Sequence, residues 1–431
     1  MGLKSNKQEV GMTGPRMSVL DIVEAGIDAV QPQTIMNVVH YLEGKPSANG
    51  NLFVNGENVY GGNGRIFVIG GGKAFGSMAQ SLENIIGPDK ISAGVGNDVV
   101  DYPDLGIIKV VRASHPTPDY AGMAGVRWMC ALKDEYKISK DDAVIFLVSG
   151  GGSSLMPYPV DGVSLQDKVA VTKLLLQCNG IHDTNTVRKH LSLVKGGQLG
   201  RYFSPAKVVT LALSDVIGND RSVIASGPTY PDQSTFVNAK SILQQQRNGR
   251  VLWDEAPESV KQYLLRGMDG HAPETPRELP NCTSYHILGE NMTALKAMAA
   301  KARQLGFKPF VVEQPQVGET RSAAGTIARE ILEGKYNGHD ILIVGGETVP
   351  QLPKEHGVGG RNQQFALASM QALEKYSGYW AVASIGTDGA DFTTGAAGAI
   401  VDKNSLEWAL QNGLRDGIEK ALTSHDSNTF L

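Results

Sequence analysis

Residues 143–156, AVIFLVSGGGSSLM, hold six consecutive apolar side chains and then stop at Ser149, three glycines and two more serines. A strand that is apolar on both faces must be covered on both, which places it inside a parallel sheet flanked by helices. Its abrupt end has a chemical reading. Consecutive glycines carry no Cβ, so the backbone can turn sharply and bring N–H groups up to an anion, while the serines add hydroxyls. Ser149, Gly150, Gly151, Gly152, Ser153 and Ser154 are therefore read as a phosphate cradle.

The same pattern recurs along the chain. Residues 66–69, IFVI, run into Gly70, Gly71, Gly72 and Lys73, and residues 208–213, VVTLAL, run into Ser214, Asp215, Gly218 and Asn219. Residues 341–344, ILIV, run into Gly345, Gly346 and Glu347, and residues 380–385, WAVASI, run into Gly386, Thr387 and Asp388. Ligands of open parallel sheets bind beyond the carboxyl ends of the strands, so these ends together predict one large, polar, anion-handling cleft.

With 431 residues the chain is long enough for two lobes. A net charge of -4 without any basic block argues against nucleic acid and anionic membranes as partners, so the expected anion is a small molecule. No stretch reaches the roughly 18 apolar residues of a membrane span, and residues 1–16 lack the apolar core of a secretory signal. The expectation is a cytoplasmic protein, with which a homodimer is compatible. Cys130, Cys178 and Cys282 are scattered without metal-type or redox-type spacing and read as small buried hydrophobes.

Apolar residues at helical spacing between Met17 and Leu42, interrupted by Pro32, predict two helices that cover a sheet. Lys73 opens a helix with Phe75, Met78, Leu82 and Ile86 on one face, ended by Gly87 and Pro88, which sets the lysine beside free N–H groups at the positive dipole end. In the stiff loop His115-Pro116-Thr117-Pro118, His115 is read as a structural hydrogen-bonder. Arg188, Lys189, His190 and Lys195 follow on a second helix and its exit, facing either a phosphate or solvent. Residues 247–281 are charged and weakly periodic, and the domain boundary is expected near residue 275. Residues 1–275 then form a Rossmann-like α/β lobe and residues 276–431 a smaller α/β lobe, whose last helix is allowed to pack back on the first. Tyr285–Leu288 is expected to open that second lobe, where Asn291 suits a helix N-cap as well as a ligand. Arg361 follows Gly359 and Gly360 at a helix start, the counterpart of Lys73.

The pattern GxxxxGK[ST] is absent, as are a strict GxGxxG and a GxSxG elbow, and only Asp98 stands near the position of a ribose-binding acid. A lysine, an arginine and several aspartates on glycine-rich strand ends remain. They form the equipment of phosphoryl transfer, in which cations neutralise oxygens and carboxylates hold Mg2+ or take the hydroxyl proton.

The segments VIGGGKAFG, SHPTPD, SGGGSSL, NTVRKHLSLVKGG, LSDVIGND, IASGPTYPD, GEN, VGGET, GGRNQ and GTDGADF cover nearly the whole chain. At these residues it resembles the glycerate 2-kinases with a carboxy-terminal MOFRL domain. The resemblance implies two α/β lobes with the active site in the cleft between them. It also implies transfer of the γ-phosphoryl of ATP to the 2-hydroxyl of D-glycerate, with Mg2+ or another divalent cation. By motif, the family's functional polar residues fall on Lys73, Asp215, Asn291, Arg361 and Asp388. Lys73, Asp215, Arg361 and Asp388 are then the expected catalytic residues, and Asp215 and Asp388 the expected metal ligands. Lys73, Arg361 and Asn362 are expected to bind the substrate. ATP phosphates are expected on Gly71, Gly72, Lys73, residues 149–154, Asn219, Asn291, Gly346 and Glu347. Closure of the lobes would bring these sets together and exclude water. Family members commonly end in a GxTGTNVxD segment, and this chain stops just after Asp426-Ser427-Asn428, so a shortened form is expected. The alternative reading is an NAD(P)H-dependent hydroxypyruvate reductase, a name some similar proteins carry.

Overall fold

A computed structural model describes residues 6–44, 50–178, 180–392 and 394–431. The chain forms two compact units, one of residues 32–290 and one made of residues 1–31 together with 291–431. At the centre of the first is a six-stranded sheet, its strands numbered here in chain order: β1 (Ile66–Gly71), β2 (Ile91–Asp98), β3 (Ile108–Arg112), β4 (Ala143–Val148), β5 (Lys207–Leu213) and β6 (Thr283–Gly289). Their spatial order is β6-β5-β4-β1-β2-β3, and every neighbouring pair is parallel. Read from the other edge this is 3-2-1-4-5-6, the doubly wound order, whose direction of winding reverses between β1 and β4.

The apolar strands obey the two-sided demand their sequences make. Ile66 and Val68 of β1 and Ile145 and Leu147 of β4 pack on one face with Phe75, Met78, Leu82 and Ile86 of helix Phe75–Ile86. An antiparallel sheet of strands Val39–Leu42, Asn51–Val54 and Glu57–Gly61 covers the same face. Phe67, Ile69, Val144 and Phe146 point the other way, onto Val126, Met129 and Leu132 of helix Tyr120–Glu135 and onto Leu199 and Phe203. Phe67 and Phe146 are fully buried, each contributing about 1.5–3 kcal/mol relative to exposure. A helical subdomain attaches here, in which Val171, Leu175, Val187, Phe236, Leu243, Val260 and Leu264 form a separate core.

The second unit is α/β with short strands. Pro309–Val311 pairs in parallel with Ile341–Ile343, and Gln316–Glu319 with Gly346–Val349, while Ala381–Ile385 pairs antiparallel with Gly398–Asp402. Helices Thr320–Leu332 and Arg361–Ala372 share a core with Ala324, Ala328, Ala366 and Leu367, three of them small alanines that let helix backbones approach closely.

Three expectations need correcting. The units do not divide at residue 275: Thr283–Gly289, expected to open the second lobe, is the edge strand of the large sheet, its backbone taken up by β5. The region 17–42 is one helix, Gly14–Ala29, followed by a short turn and a strand, because Pro32 starts a helical turn that ends by Val38. That first helix belongs with the carboxy-terminal residues, where Gly26 lies against Met298 of helix Asn291–Gln304. The last helix, Ser427–Phe430, also stays in that unit, with Asn428 accepting a hydrogen bond from Gln363 Nε2 at 2.9 Å. No helix among the described residues is long and apolar enough to cross a membrane.

Candidate active site

The glycine ends of β1 and β4 are hydrogen-bonded to each other at the point where the winding reverses. The Lys73 N–H donates to the Gly150 carbonyl at 2.8 Å, and the Ala74 N–H donates to Ser149 Oγ at 3.0 Å. This contact requires a bare backbone. A Cβ on Gly72, whose φ is 152°, would lie 2.2 Å from Ser149 Oγ. Gly151 has a φ of 80° and begins the short helical turn Gly152–Leu155.

Three chemically capable side chains converge on Gly150 and Gly151. A Cβ on Gly151 would lie 3.0 Å from His115 Cδ2 and 3.2 Å from Lys73 Cγ, and one on Gly150 would lie 2.3 Å from Asp215 Oδ2. Lys73 and Asp215 are exposed and His115 partly so, which leaves an ammonium, an imidazole and a carboxylate around one open glycine loop. Sequence reasoning selected Lys73 and Asp215 but treated His115 as structural. Its signal was available in the rigid Pro116-Thr117-Pro118 run, which fixes where the loop goes, but nothing local tells that the loop ends beside Lys73.

The geometry redistributes the expected anion contacts. Free N–H groups were expected at the start of helix 75–86, but Gly72 donates to Asn97 O at 3.1 Å, Phe75 to Gly72 O at 3.1 Å, and Gly76 to Asp98 Oδ2 at 2.8 Å. The helix start is satisfied from within, so this loop offers the Lys73 side chain rather than a row of backbone donors. Asp98 is fully buried, and burial raises its pKa against the lowering effect of the Gly76, Val99 and Val100 N–H groups. It caps a helix and is not open to a ribose, which removes the acid a nicotinamide site would use. Ser149 and Ser154 also turn inward, Ser154 donating to Gly151 O at 3.0 Å. Ser153 stays partly exposed and hydrogen-bonds Ser226 at 2.8 Å. Among the described residues the N–H groups of Gly150, Gly151 and Ser153 take no part in backbone–backbone bonding, and these are the donors the cradle keeps.

Two neighbouring turns hold strained backbone. Ala225 and Ser226 have φ of 50° and 63°, an arrangement that costs roughly 1–3 kcal/mol per residue and aims Ser226 at Ser153. Asn219, at a φ of 55°, donates to Glu290 Oε2 at 2.6 Å.

In the other unit, taken by itself, Asn291 begins helix Asn291–Gln304 and its side chain lies against Gly345, where a Cβ would be 2.3 Å from Oδ1. Gly346 has a φ of 150° and would clash with the Gln316 backbone if it carried a Cβ, so strand pairing already accounts for it. Arg361 pairs with Glu347 at 2.7 Å in a largely exposed contact, worth at most about 1 kcal/mol and easily exchanged for another anion. Asn362 is fixed by Ser384 and by Asp391, which is itself buried and accepts the N–H groups of Asn362 and Gln363 at 2.9 Å each. Asp388 is exposed beside Gly386 and accepts from the Ala390 N–H at 3.3 Å. Among the described residues no three His, Cys, Asp or Glu side chains gather as a metal site.

Comparison with known proteins agrees with this architecture. Residues 18–265 match a family model described as a domain of unknown function, DUF4147, and residues 340–431 match the MOFRL family. The chain is 34% identical over 421 residues to the glycerate 2-kinase of Pyrococcus horikoshii, covering 96% of this chain and 91% of that protein. It is 38% identical over 351 residues to the D-glycerate 2-kinase of Thermotoga maritima, covering 80% of each. A crystal structure of glycerate kinase from Thermotoga maritima superposes with a TM-score of 0.76 at 34% identity, over 95% of this chain and 91% of that one. With the doubly wound sheet, the joined glycine ends and these relatives in agreement, the chain belongs to the glycerate 2-kinases that carry a MOFRL domain.

Proposed function

We propose that this protein transfers the γ-phosphoryl group of ATP to the 2-hydroxyl of D-glycerate, giving 2-phospho-D-glycerate and ADP. The observation that carries this reading is the convergence of Lys73, His115 and Asp215 on the Gly150–Gly151 loop, within a chain whose relatives are named glycerate 2-kinases. Phosphoryl transfer asks mainly for positioning and for charge opposite the equatorial oxygens, and an exposed ammonium beside backbone donors supplies both. Lys73 is assigned to those oxygens, and the N–H groups of Gly150, Gly151 and Ser153 to a phosphate.

Mg2+ is usually bound through one or two carboxylates together with substrate phosphates, so the lack of a three-carboxylate cluster is compatible with it. Asp215 fits as such a carboxylate, exposed and held against Gly150, and Asp388 is the corresponding candidate in the other unit. When bound, the cation would neutralise phosphate charge. Arg361, with its planar fork, is assigned to a carboxylate or to the transferring group, in exchange for Glu347. Asn291, Asn219, Asn362, Gly346 and Glu347 are kept as proposed binding positions. The reading goes with a cytoplasmic enzyme of small-molecule metabolism.

Phosphorus NMR of the product decides the reaction. A 2-phosphoglycerate resonance is expected; 3-phosphoglycerate as sole product, or no consumption of ATP, overturns the proposal. The same preparation given hydroxypyruvate and NADH is expected to leave the absorbance unchanged.

A further inference from the structure

Behind Ser153 lies a group of basic side chains that the proposed reaction has not used. Lys195 is fully buried, and among the described residues its ammonium reaches only the Ala225 carbonyl, at 3.5 Å. Lys168 is buried as well and donates to the carbonyls of Arg188 and Leu191 at 3.1 and 2.7 Å. Arg188 is partly open at its surface yet sits deep among protein atoms, and its Nη1 donates to Asn185 Oδ1 at 3.3 Å. Among the described residues no carboxylate pairs with Lys168, Arg188 or Lys195. The nearby buried acid, Asp232, is already engaged by Lys189, Ser234 and Thr275.

A protein rarely buries cations this way without giving them an anion, because each lost hydration shell must be replaced. Burial pulls Lys168 and Lys195 well below the ordinary lysine range and Arg188 down to about 10, and the guanidinium of Arg188 adds its repulsion to both lysines. A second observation points to a missing acceptor. Asn185 is buried, its Oδ1 accepts from both Arg188 and Ser226, and among the described residues its Nδ2 has no partner. A donor left over between a guanidinium and two serine hydroxyls is what an oxyanion would satisfy.

We propose that Arg188, Asn185, Ser226 and Ser153, backed by the ammonium groups of Lys195 and Lys168, form an oxyanion subsite adjoining the Gly150–Gly151 loop. Its ligand is a carboxylate or phosphate group of a substrate, held by the Arg188 fork and charge-balanced by the lysines behind it. The identity of that substrate rests on the kinase reading; the existence of the subsite does not. The hydroxyl pair Ser153–Ser226 links it to the cradle, so that one bound molecule can touch both.

The test uses the full chain with Arg188→Gln and Lys195→Met. In steady-state kinetics Arg188→Gln is expected to raise the KM for D-glycerate on the order of tenfold or more, with the KM for ATP little changed. A rise confined to ATP supports the subsite and assigns it to a phosphate; unchanged values for both overturn it. Melting temperature against D-glycerate or ATP gives a readout independent of turnover. Wild type is expected to rise with the ligand that occupies the subsite. Lys195→Met is expected to melt at or above wild type without ligand, since a buried charge has gone, and to lose most of that rise. A variant that keeps the full rise, or a wild type that responds to neither ligand, counts against the subsite. A wild type that turns over no D-glycerate but shows a rise that both variants lose leaves the subsite standing and removes the kinase reading.

Discussion

Lys73 and Gly150 are joined backbone to backbone, the N–H of one donating to the carbonyl of the other at 2.8 Å. Two glycine runs far apart in sequence, 70–72 and 150–152, thereby form one platform. The backbone from which the Lys73 side chain projects is thereby fixed against the cradle.

Replacing Lys73 by alanine removes the side chain while leaving its N–H bond to Gly150 in place. The fold is expected to persist, with an unchanged far-ultraviolet circular dichroism spectrum, and kcat to fall by about a hundredfold or more. A variant with wild-type kcat would remove Lys73 from the reaction.

Gly151→Ala sets two effects against each other. The left-handed backbone at a φ of 80° costs an L residue about 1–2 kcal/mol, and the new methyl group would press on His115 and Lys73. A modest drop in melting temperature is expected alongside a loss of kcat/KM on the order of a hundredfold, because catalytic groups displaced by a fraction of an ångström lose alignment. Equal, small effects on both would show that the loop tolerates a side chain.

His115 and Lys73 lie against the same glycine, Gly151. His115→Ala is expected to lower kcat by roughly a hundredfold, the lower range for a group that moves a proton, and to change the pH dependence of kcat. His115→Asn restoring most of the rate with a flat profile would show that the residue only donates a hydrogen bond.

The pair Arg65 and Asp142 lies outside the site and gives a prediction about acid stability. Burial alone would raise the Asp142 carboxyl, but the Arg65 side chain and the N–H groups of Arg65 and Ser139 outweigh it and hold the group at about 2. A carboxylate with a depressed folded pKa contributes its stability above the unfolded value of about 4 and loses it as pH falls toward the folded value. Arg65→Met is expected to cost about 1.5–3 kcal/mol at neutral pH and to move the acid-unfolding midpoint upward in pH. Circular dichroism followed from pH 7 to pH 2 would check this, and coincident curves for the two proteins would refute it.

The strands that bear the site were legible because burial on both faces leaves a one-residue-deep signature: IFVI, AVIFLV and VVTLAL are all strands of the sheet, and each ends in the glycine or Ser-Asp turn read from sequence. What was not legible is partner choice. Residues 283–289, TSYHILG, mix polar and apolar side chains, and nothing in them says that their hydrogen bonds go to β5 rather than to a new sheet. The start of helix 75–86 failed for a related reason. Whether a glycine loop keeps its N–H groups for a ligand depends on distant acceptors, here Asn97, Asp98 and Ser149, none of which the local sequence announces. The nearness of His115 to the Gly150–Gly151 loop, and of Asn185 to Arg188 and Ser226, was not legible because these neighbours come from other strand ends and other turns.

The placement of helix Gly14–Ala29 with residues 291–431 has a consequence for how the chain is made. This helix is synthesised before residues 32–290, yet the surface it buries is synthesised only after all of them. Its apolar side, with Leu20, Ile22 and Val23, must stay uncovered or in temporary company throughout that interval. The large sheet, closed by β6, can complete itself meanwhile. Residues 32–290 can thus reach their native packing before the helix that precedes them in sequence finds its own partners.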